Sequence, residues 1–576
     1  MTRTRHIIAG AVSNAVKEAF AAEIPENEIY GMLEFPPDAS MGDIAFPCFK
    51  LSRTLKKAPP VIAQELCGRI KADMISGAEV AGGYLNFRID RAAFCSAVCR
   101  TAAEKGEKYG APDPSSDIYG GGKTVVLDYS SPNIAKPFHI GHFGSTIIGH
   151  SVKNIYSFLG YKCVGINYLG DWGTQFGKEI TAYKLWGDRE KIEKGGVDEL
   201  VALYTEFHKK AEEDPSLEDR AREEFAKLEK GDAENTALWK WFIDVSLAEF
   251  KKTYALLGVD FDSWLGESFF YTKTAAAVQM LKDKGLLRES DGASIVDLSE
   301  YNMPPFLVLK RDGSTLYTTR DLASALYRAE TYRFAKCLYV TASQQCLHFA
   351  QLFKVIELAG YEWAKDMHHI PYGMVSVNGA KLATRTGNVV LLRDLLAAAI
   401  DKAREIIEQK NPDLENKDET ARDVGIGAII MGYLSGGRIK DMNFIVEDAL
   451  SFEGNTGPYA QYTYARTCSL LKKAESAGIV SAYSFADVKD GEFALCKLLS
   501  MFPEKVLTAA ENFEPSEITR YIFDVCNEFN RFYQECPVLG DPDRAVCTRR
   551  VAIVGATNTV LRNAMRLICV KTPEKI

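Results

Sequence analysis

Between residues 124 and 168 the chain reads strand, loop, helix, strand, and this order constrains the fold more than any other feature. Thr124-Val-Val-Leu-Asp-Tyr129 and Lys162-Cys-Val-Gly-Ile-Asn-Tyr168 are the two strands. Phe143, Ile147, Ile148, Val152, Ile155, Phe158 and Leu159 recur between them at helical spacing. Such a unit calls for a parallel sheet with right-handed crossovers. The pattern resumes with Cys337-Leu-Tyr-Val-Thr-Ala342, a helix carrying Leu347, Leu352, Phe353 and Ile356, and the strand His369-Ile-Pro-Tyr-Gly-Met-Val375. The fold class is therefore α/β, built on a parallel sheet.

The chain has 576 residues, enough for about two to four domains. Residues 1–112 read as a small α/β module: an amphipathic helix with Ile7, Ile8, Val12, Val16 and Phe20, a second helix after Pro59-Pro60, and a strand at 83–89. Tyr109-Gly-Ala-Pro-Asp-Pro-Ser-Ser-Asp117 is the linker. Residues 113–445 hold the sheet, interrupted over about 183–257 by a charged helical insertion that reads mostly as a solvated face. From about 392 strand patterns fade, and 446–576 is all helical.

Composition removes whole classes of function. Acidic residues outnumber basic ones 77 to 69, so a polyanion site must be a local patch rather than a property of the whole chain. The 13 cysteines are scattered with no Cys-x-x-Cys pair, which fits neither a disulfide framework nor a structural zinc site. No run approaches the ~18 apolar residues of a membrane span. The N-terminus carries Lys17, Glu18 and Glu23 where a secretory signal needs an unbroken apolar stretch. A cytoplasmic protein is the expectation.

Gly120-Gly-Gly-Lys-Thr124 resembles a phosphate loop, but it precedes a strand, so no helix N-terminus follows to receive the phosphate. The stronger motif is Ser130-Ser-Pro-Asn-Ile-Ala-Lys-Pro-Phe-His-Ile-Gly-His142, at a strand-to-helix junction. Backbone N–H groups and the helix dipole favour an anion there. His139 and His142 can donate to phosphate oxygens that gain charge in a transition state, and Lys136 adds a mobile cation. Gly141 leaves room for a base or ribose against the backbone. About 240 residues on lies Asn378-Gly-Ala-Lys-Leu-Ala-Thr-Arg-Thr-Gly-Asn-Val-Val390, a basic loop with Lys381 and Arg385. Alone it reads as a surface loop; paired with the histidines it suits a phosphate clamp.

With both elements in hand, the chain resembles the class I aminoacyl-tRNA synthetases, and specifically arginyl-tRNA synthetase, over essentially its whole length. His139-Ile-Gly-His142 matches the HIGH signature, and Lys381-Leu-Ala-Thr-Arg-Thr-Gly387 is similar to a degenerate KMSKS loop. Gly170-Asp-Trp-Gly-Thr-Gln-Phe-Gly177, Leu316-Tyr-Thr-Thr-Arg-Asp-Leu322 and Gly454-Asn-Thr-Gly-Pro-Tyr-Ala-Gln-Tyr462 resemble arginine-specific members. The resemblance implies a Rossmann-like catalytic domain, a small α/β N-terminal domain that contacts the tRNA corner, and a helical anticodon-binding domain. It implies L-arginine, ATP with Mg2+ and tRNA(Arg) as partners, an arginyl-adenylate intermediate, transfer to the terminal 2′-hydroxyl, and a monomer. His139, Gly141, His142, Lys381 and Arg385 would meet ATP, with Lys136, His139, His142 and Lys381 catalytic. Thr384 replaces the second lysine of KMSKS, and Lys136 stands where the family carries its compensating lysine.

A guanidinium is planar, permanently charged and rich in donors, so its pocket needs carboxylates in a fork geometry. By resemblance Asp321 and Tyr317, one helical turn apart, take the arginine side chain; Ser131, Asn133 and Gln345 hold its α-amino end; Asp128 and His142 line the pocket. Read alone, the lesser alternative for Asp321 is an N-terminal helix cap at this strand-to-helix junction. Glu267 is a possible second carboxylate. Toward tRNA, Tyr459, Tyr462 and Tyr464 with Arg466 could stack bases or touch phosphate, although most helical aromatics are core. Residues 541–576 carry seven basic side chains against three acidic ones, a candidate patch, and Lys50, Arg53, Lys56 and Lys57 fit a phosphate-facing side of the first module. A small-molecule nucleotidylyltransferase shares the histidine motif but needs no helical C-terminal domain, and a non-catalytic RNA-binding relative need not keep His139, His142, Lys136 and Asp321.

Overall fold

Val125, Val126 and Leu127 are wholly buried, as expected of a parallel strand covered on both faces. They belong to β1 (Thr124–Asp128), which pairs in parallel with β2 (Lys162–Ile166) and with β3 (Lys336–Ala342); β4 (Met367–Tyr372) pairs in parallel with β3. The order is β4-β3-β1-β2. The chain leaves β1 toward one edge and returns on its other side, so a crevice opens between the C-terminal ends of β1 and β3, where ligands of open α/β sheets bind. The structure, a computed structural model, describes residues 2–377, 380–381 and 391–576, with the backbone only at 2, 3, 39, 377, 380, 381 and 446.

Strand side chains alternate between two cores. Val125, Leu127, Leu338 and Val340 face one that includes Ile147, Ile148 and Ile155 of α1 (Ile140–Phe158). Val126, Cys337 and Tyr339 face the other, with Phe349, Leu352 and Ile356. The insertion forms five helices from Thr174 to Leu257, ending in α2 (Ala233–Leu257). It is not mostly solvated: Leu200, Phe207, Phe242 and Phe250 are fully buried or nearly so, and α2 runs under the loop that follows β1. A three-stranded antiparallel sheet (Leu287–Ser290, Ala293–Val296, Phe306–Leu309), absent from the sequence reading, leads into α3 (Tyr317–Tyr332). Helix α4 (Cys346–Leu358) follows β3.

The expected strand at 369–375 is two strands, because Gly373 N–H turns to the Arg438 carbonyl at 2.8 Å. Past that break Val375–Val377 pairs in parallel with Met442–Phe444, a strand inside the region read as helical, and antiparallel with Ala380–Lys381. The C-terminal bundle contains α5 (Gly457–Ser476), α6 (Ser516–Glu535) and α7 (Arg544–Leu567). The N-terminal module (strands Ile44–Pro47, Ile75–Ala81 and Tyr84–Ile89) is tied to that bundle by Arg5–Glu504 at 3.3 Å and Arg91–Asp490 at 2.6 Å.

Candidate active site

Helix α1 begins with His139 in extended conformation at its N-cap. Its Nδ1 accepts from Gly141 N–H at 3.0 Å, while His142 Nδ1 accepts from His139 N–H at 3.2 Å. The two rings stack with centroids 3.8 Å apart. Burial, with Lys136 adding to it, lowers His139 below the usual histidine range; burial, His139 and Lys136 drive His142 well below it. Both imidazoles are therefore neutral, and a neutral ring whose Nδ1 accepts must carry its proton on Nε2. Two N–H donors are thus fixed side by side at the positive end of a helix. Gly141 has a local reason as well: a Cβ there would stand 2.8 Å from His139 Cε1. Lys136 is exposed beside the pair.

The loop that brings them here is strained. Ser130, Ser131 and Ala135 hold φ of 72°, 49° and 57° without being glycine, a cost on the order of 1–3 kcal/mol each that surrounding contacts must offset. Those contacts are present. Ser130 N–H donates to Ser145 Oγ (2.8 Å), its Oγ bonds Tyr254 Oη (2.6 Å), and Ala135 N–H donates to Ser246 Oγ (3.1 Å). Ser246 and Tyr254 belong to α2, so the insertion supports the histidine loop. Asn133 sits where residues 133 and 170 bridge, and a Cβ on Gly170 would fall 2.0 Å from Asn133 Oδ1. Gly170 is glycine because of that close approach.

Leu391 bridges His139, and Leu392 N–H donates to the Phe138 carbonyl at 3.1 Å. Lys381 pairs through its backbone with Ser376. Arg385, Thr384 and the rest of 382–390 lie outside the described residues, as does the Lys381 side chain.

Across the crevice, Asp321 is one turn inside α3, which excludes the capping role, and its Oδ2 meets His348 Nε2 at 2.8 Å. Tyr317, at the first position of α3, is 55% exposed and its ring lies 5.2 Å from that of His348. Glu267 pairs with Arg320 at 3.0 Å. Burial pushes Glu267 up to about 7; Arg320 opposes this, while Asp321 and Asp171 add to it. Tyr168 Oη is buried without a partner among the described residues, raised by burial and then by Asp321 and Glu267. Gln345 is exposed just past β3, three residues before His348. Asp128 is placed differently from the other pocket residues. Its Oδ2 binds Arg328 at 2.7 Å and its Oδ1 accepts from Ser131 Oγ at 2.9 Å, so it lies beneath the pocket and holds Ser131. His348, Arg320, Arg328 and Tyr168 were not singled out in the sequence; each joins the site through a contact between distant segments.

Residues 116–446 match the tRNA synthetases class I (R) catalytic domain, residues 460–576 the DALR anticodon binding domain, and residues 6–89 the arginyl tRNA synthetase N terminal domain. The chain belongs to the arginyl-tRNA synthetase family. It is 51% identical to the arginine–tRNA ligase of Alkaliphilus metalliredigens over 96% of this chain and 97% of that one. Identity to the Clostridium perfringens arginine–tRNA ligase is 49%, over 98% and 99%. The solved arginyl-tRNA synthetase of Thermus thermophilus aligns with a TM-score of 0.81 at 25% identity, covering 99% of this chain and 100% of that one.

Relative to the family's tRNA-facing parts, the structure sorts the aromatic and basic candidates. Tyr464 is 4% exposed and is core. Tyr459 is half-buried, its hydroxyl donating to Asn527 and accepting from Asn530, both at 2.8 Å. Tyr462 and Tyr533 are exposed and flank the Arg466 guanidinium at 5.1 and 5.4 Å. The basic patch at 541–576 forms only in part: Arg544, Arg566, Lys571 and Lys575 are exposed. Arg550 is fully buried against Glu492 and Asp541, Arg549 is buried beside Glu492, and Arg566 pairs with Glu107. Counting charge along a helix cannot tell which side chains turn inward. Arg53, Lys56 and Lys57 remain on the exposed face of the first module, and Lys50 pairs with Glu34. Among the described residues no helix is long and apolar enough to cross a membrane.

Proposed function

We propose that the chain carries out its family's reaction with the side chains gathered in this crevice, as a monomer. Arginine is attached to tRNA at the expense of ATP: the arginine carboxylate attacks the α-phosphorus, pyrophosphate leaves, and the 2′-hydroxyl of the terminal adenosine then displaces AMP from the arginyl-adenylate. The protein's share of such transfers is positioning and charge stabilisation. His139 and His142 donate through Nε2 to phosphate oxygens, with Lys136 beside them; adenosine lies along Gly141; Lys381 and Arg385 serve the departing pyrophosphate. Tyr317, Asp321 and Glu267 take the guanidinium. Ser131, Asn133 and Gln345 hold the α-amino end near His142, and Asp128 acts from beneath through Ser131.

Magnesium usually binds through substrate phosphates and water rather than an all-protein cage, and no group of three or more ligating side chains is built for an ion among the described residues. It would arrive on ATP and draw charge from the phosphate oxygens. The exposed Tyr462 and the half-buried Arg466, with Tyr459 behind them, would meet tRNA bases and phosphate.

The observation that carries the reading is the stacked, backbone-capped histidine pair at the start of α1. Arginine charging of purified tRNA with ATP and magnesium tests it, together with ATP–pyrophosphate exchange. Charging and tRNA-dependent exchange are expected; absence of charging on any arginine-accepting tRNA refutes it.

A further inference from the structure

We infer that His348 is a positioning residue for arginine selection: it holds the Asp321 carboxylate in the orientation that a guanidinium requires. The inference rests on the reading of Asp321 as the guanidinium ligand. His348 lies in the first turn of α4, and through Nε2 it reaches Asp321 Oδ2 at 2.8 Å. The same ring lies against Tyr317, so one imidazole touches both side chains expected on the arginine tail. It also shares its segment with Gln345 and therefore links that residue to α3.

The ring is fixed. Its side chain is 10% exposed, and Phe306 and Phe349 stand at 6.5 and 5.1 Å. Its Nδ1 is buried with no hydrogen-bond partner among the described residues, so the bond to Asp321 is the one polar contact the ring makes there. An imidazole suits this task. A lysine or arginine would cancel the charge of Asp321 and occupy its oxygens, whereas an imidazole N–H takes one lone pair of Oδ2 and leaves both oxygens able to accept from the substrate. Fork-like recognition of a guanidinium depends on the plane of the carboxylate, and a carboxylate free to rotate loses that alignment.

The test uses the full chain in tRNA-dependent ATP–pyrophosphate exchange. His348→Ala is expected to raise the arginine KM by about tenfold to a hundredfold, with kcat and the ATP KM within about twofold. His348→Gln, whose amide nitrogen stands in for Nε2, is expected to restore most of the loss. His348→Asn, which mimics Nδ1, is not. If the alanine variant fails to fold, the Gln/Asn comparison decides. An unchanged arginine KM in His348→Ala, equal rescue by Asn and Gln, or a loss confined to kcat would overturn the inference. Asp321→Asn separates the two layers: a raised KM there alone refutes the role of His348, and no rise in either variant refutes the guanidinium reading beneath it.

Discussion

Replacing Arg328 with methionine should unfold the catalytic domain far more readily than an ordinary core substitution. The guanidinium is 1% exposed, bonds Asp128 at 2.7 Å, and lies 5.4 and 5.2 Å from the rings of Tyr168 and Tyr339. Charge centres about 4 Å apart attract by about 4 kcal/mol at an effective dielectric constant near 20. Removing one partner of a buried pair leaves the other charge uncompensated and costs about 3–5 kcal/mol. Among the described residues, Asp128 would retain the Ser131 hydroxyl alone. Urea unfolding followed by intrinsic fluorescence measures the loss. A second substitution separates stability from function. Arg328→Met combined with Asp128→Val replaces the ion pair by apolar groups, which is often near neutral, so most of the stability should return. Arginine-dependent exchange should not, because Ser131 Oγ has lost its nearer acceptor and keeps the Tyr129 carbonyl at 3.4 Å, in a loop already held at positive φ. A single variant within about 1 kcal/mol of the native chain, or a double variant with native kcat/KM for arginine, refutes this account.

His142→Ala should lower the rate of adenylate formation by about a hundredfold or more if its Nε2–H stabilises transition-state charge; single-turnover measurements with tRNA present would reveal an unaltered rate. Glu267, pushed up to about 7 chiefly by burial, should ionise as a guanidinium binds. Arginine binding should therefore release protons at pH 6.5 and strengthen as pH rises through 7, which calorimetry in buffers of different ionisation heat detects; no proton release refutes the placement. Arg466→Ala removes the cation between Tyr462 and Tyr533. It should raise the tRNA KM and flatten its dependence on salt, leaving the arginine KM unchanged; a selective loss of arginine affinity would place Arg466 elsewhere.

The sequence by itself determined the parallel sheet, the strand-to-helix junction and the histidines at its helix start. These rest on local facts: apolar periodicity, the strand-to-helix order, and two imidazoles three positions apart at a helix terminus. That Tyr317 and Asp321 share one face of a helix was legible for the same reason, since one helical turn separates them. Only the tertiary structure decided the rest. Arg328 meets Asp128 from 200 positions away, Tyr254 reaches Ser130 from 124, and His348 reaches Asp321 from another helix. It also turned Arg549, Arg550 and Tyr464 inward, removing two cations from a patch that charge counting had assembled. Periodicity says which face of an element is apolar but not which distant segment covers it, and burial and ion pairing depend on that second fact.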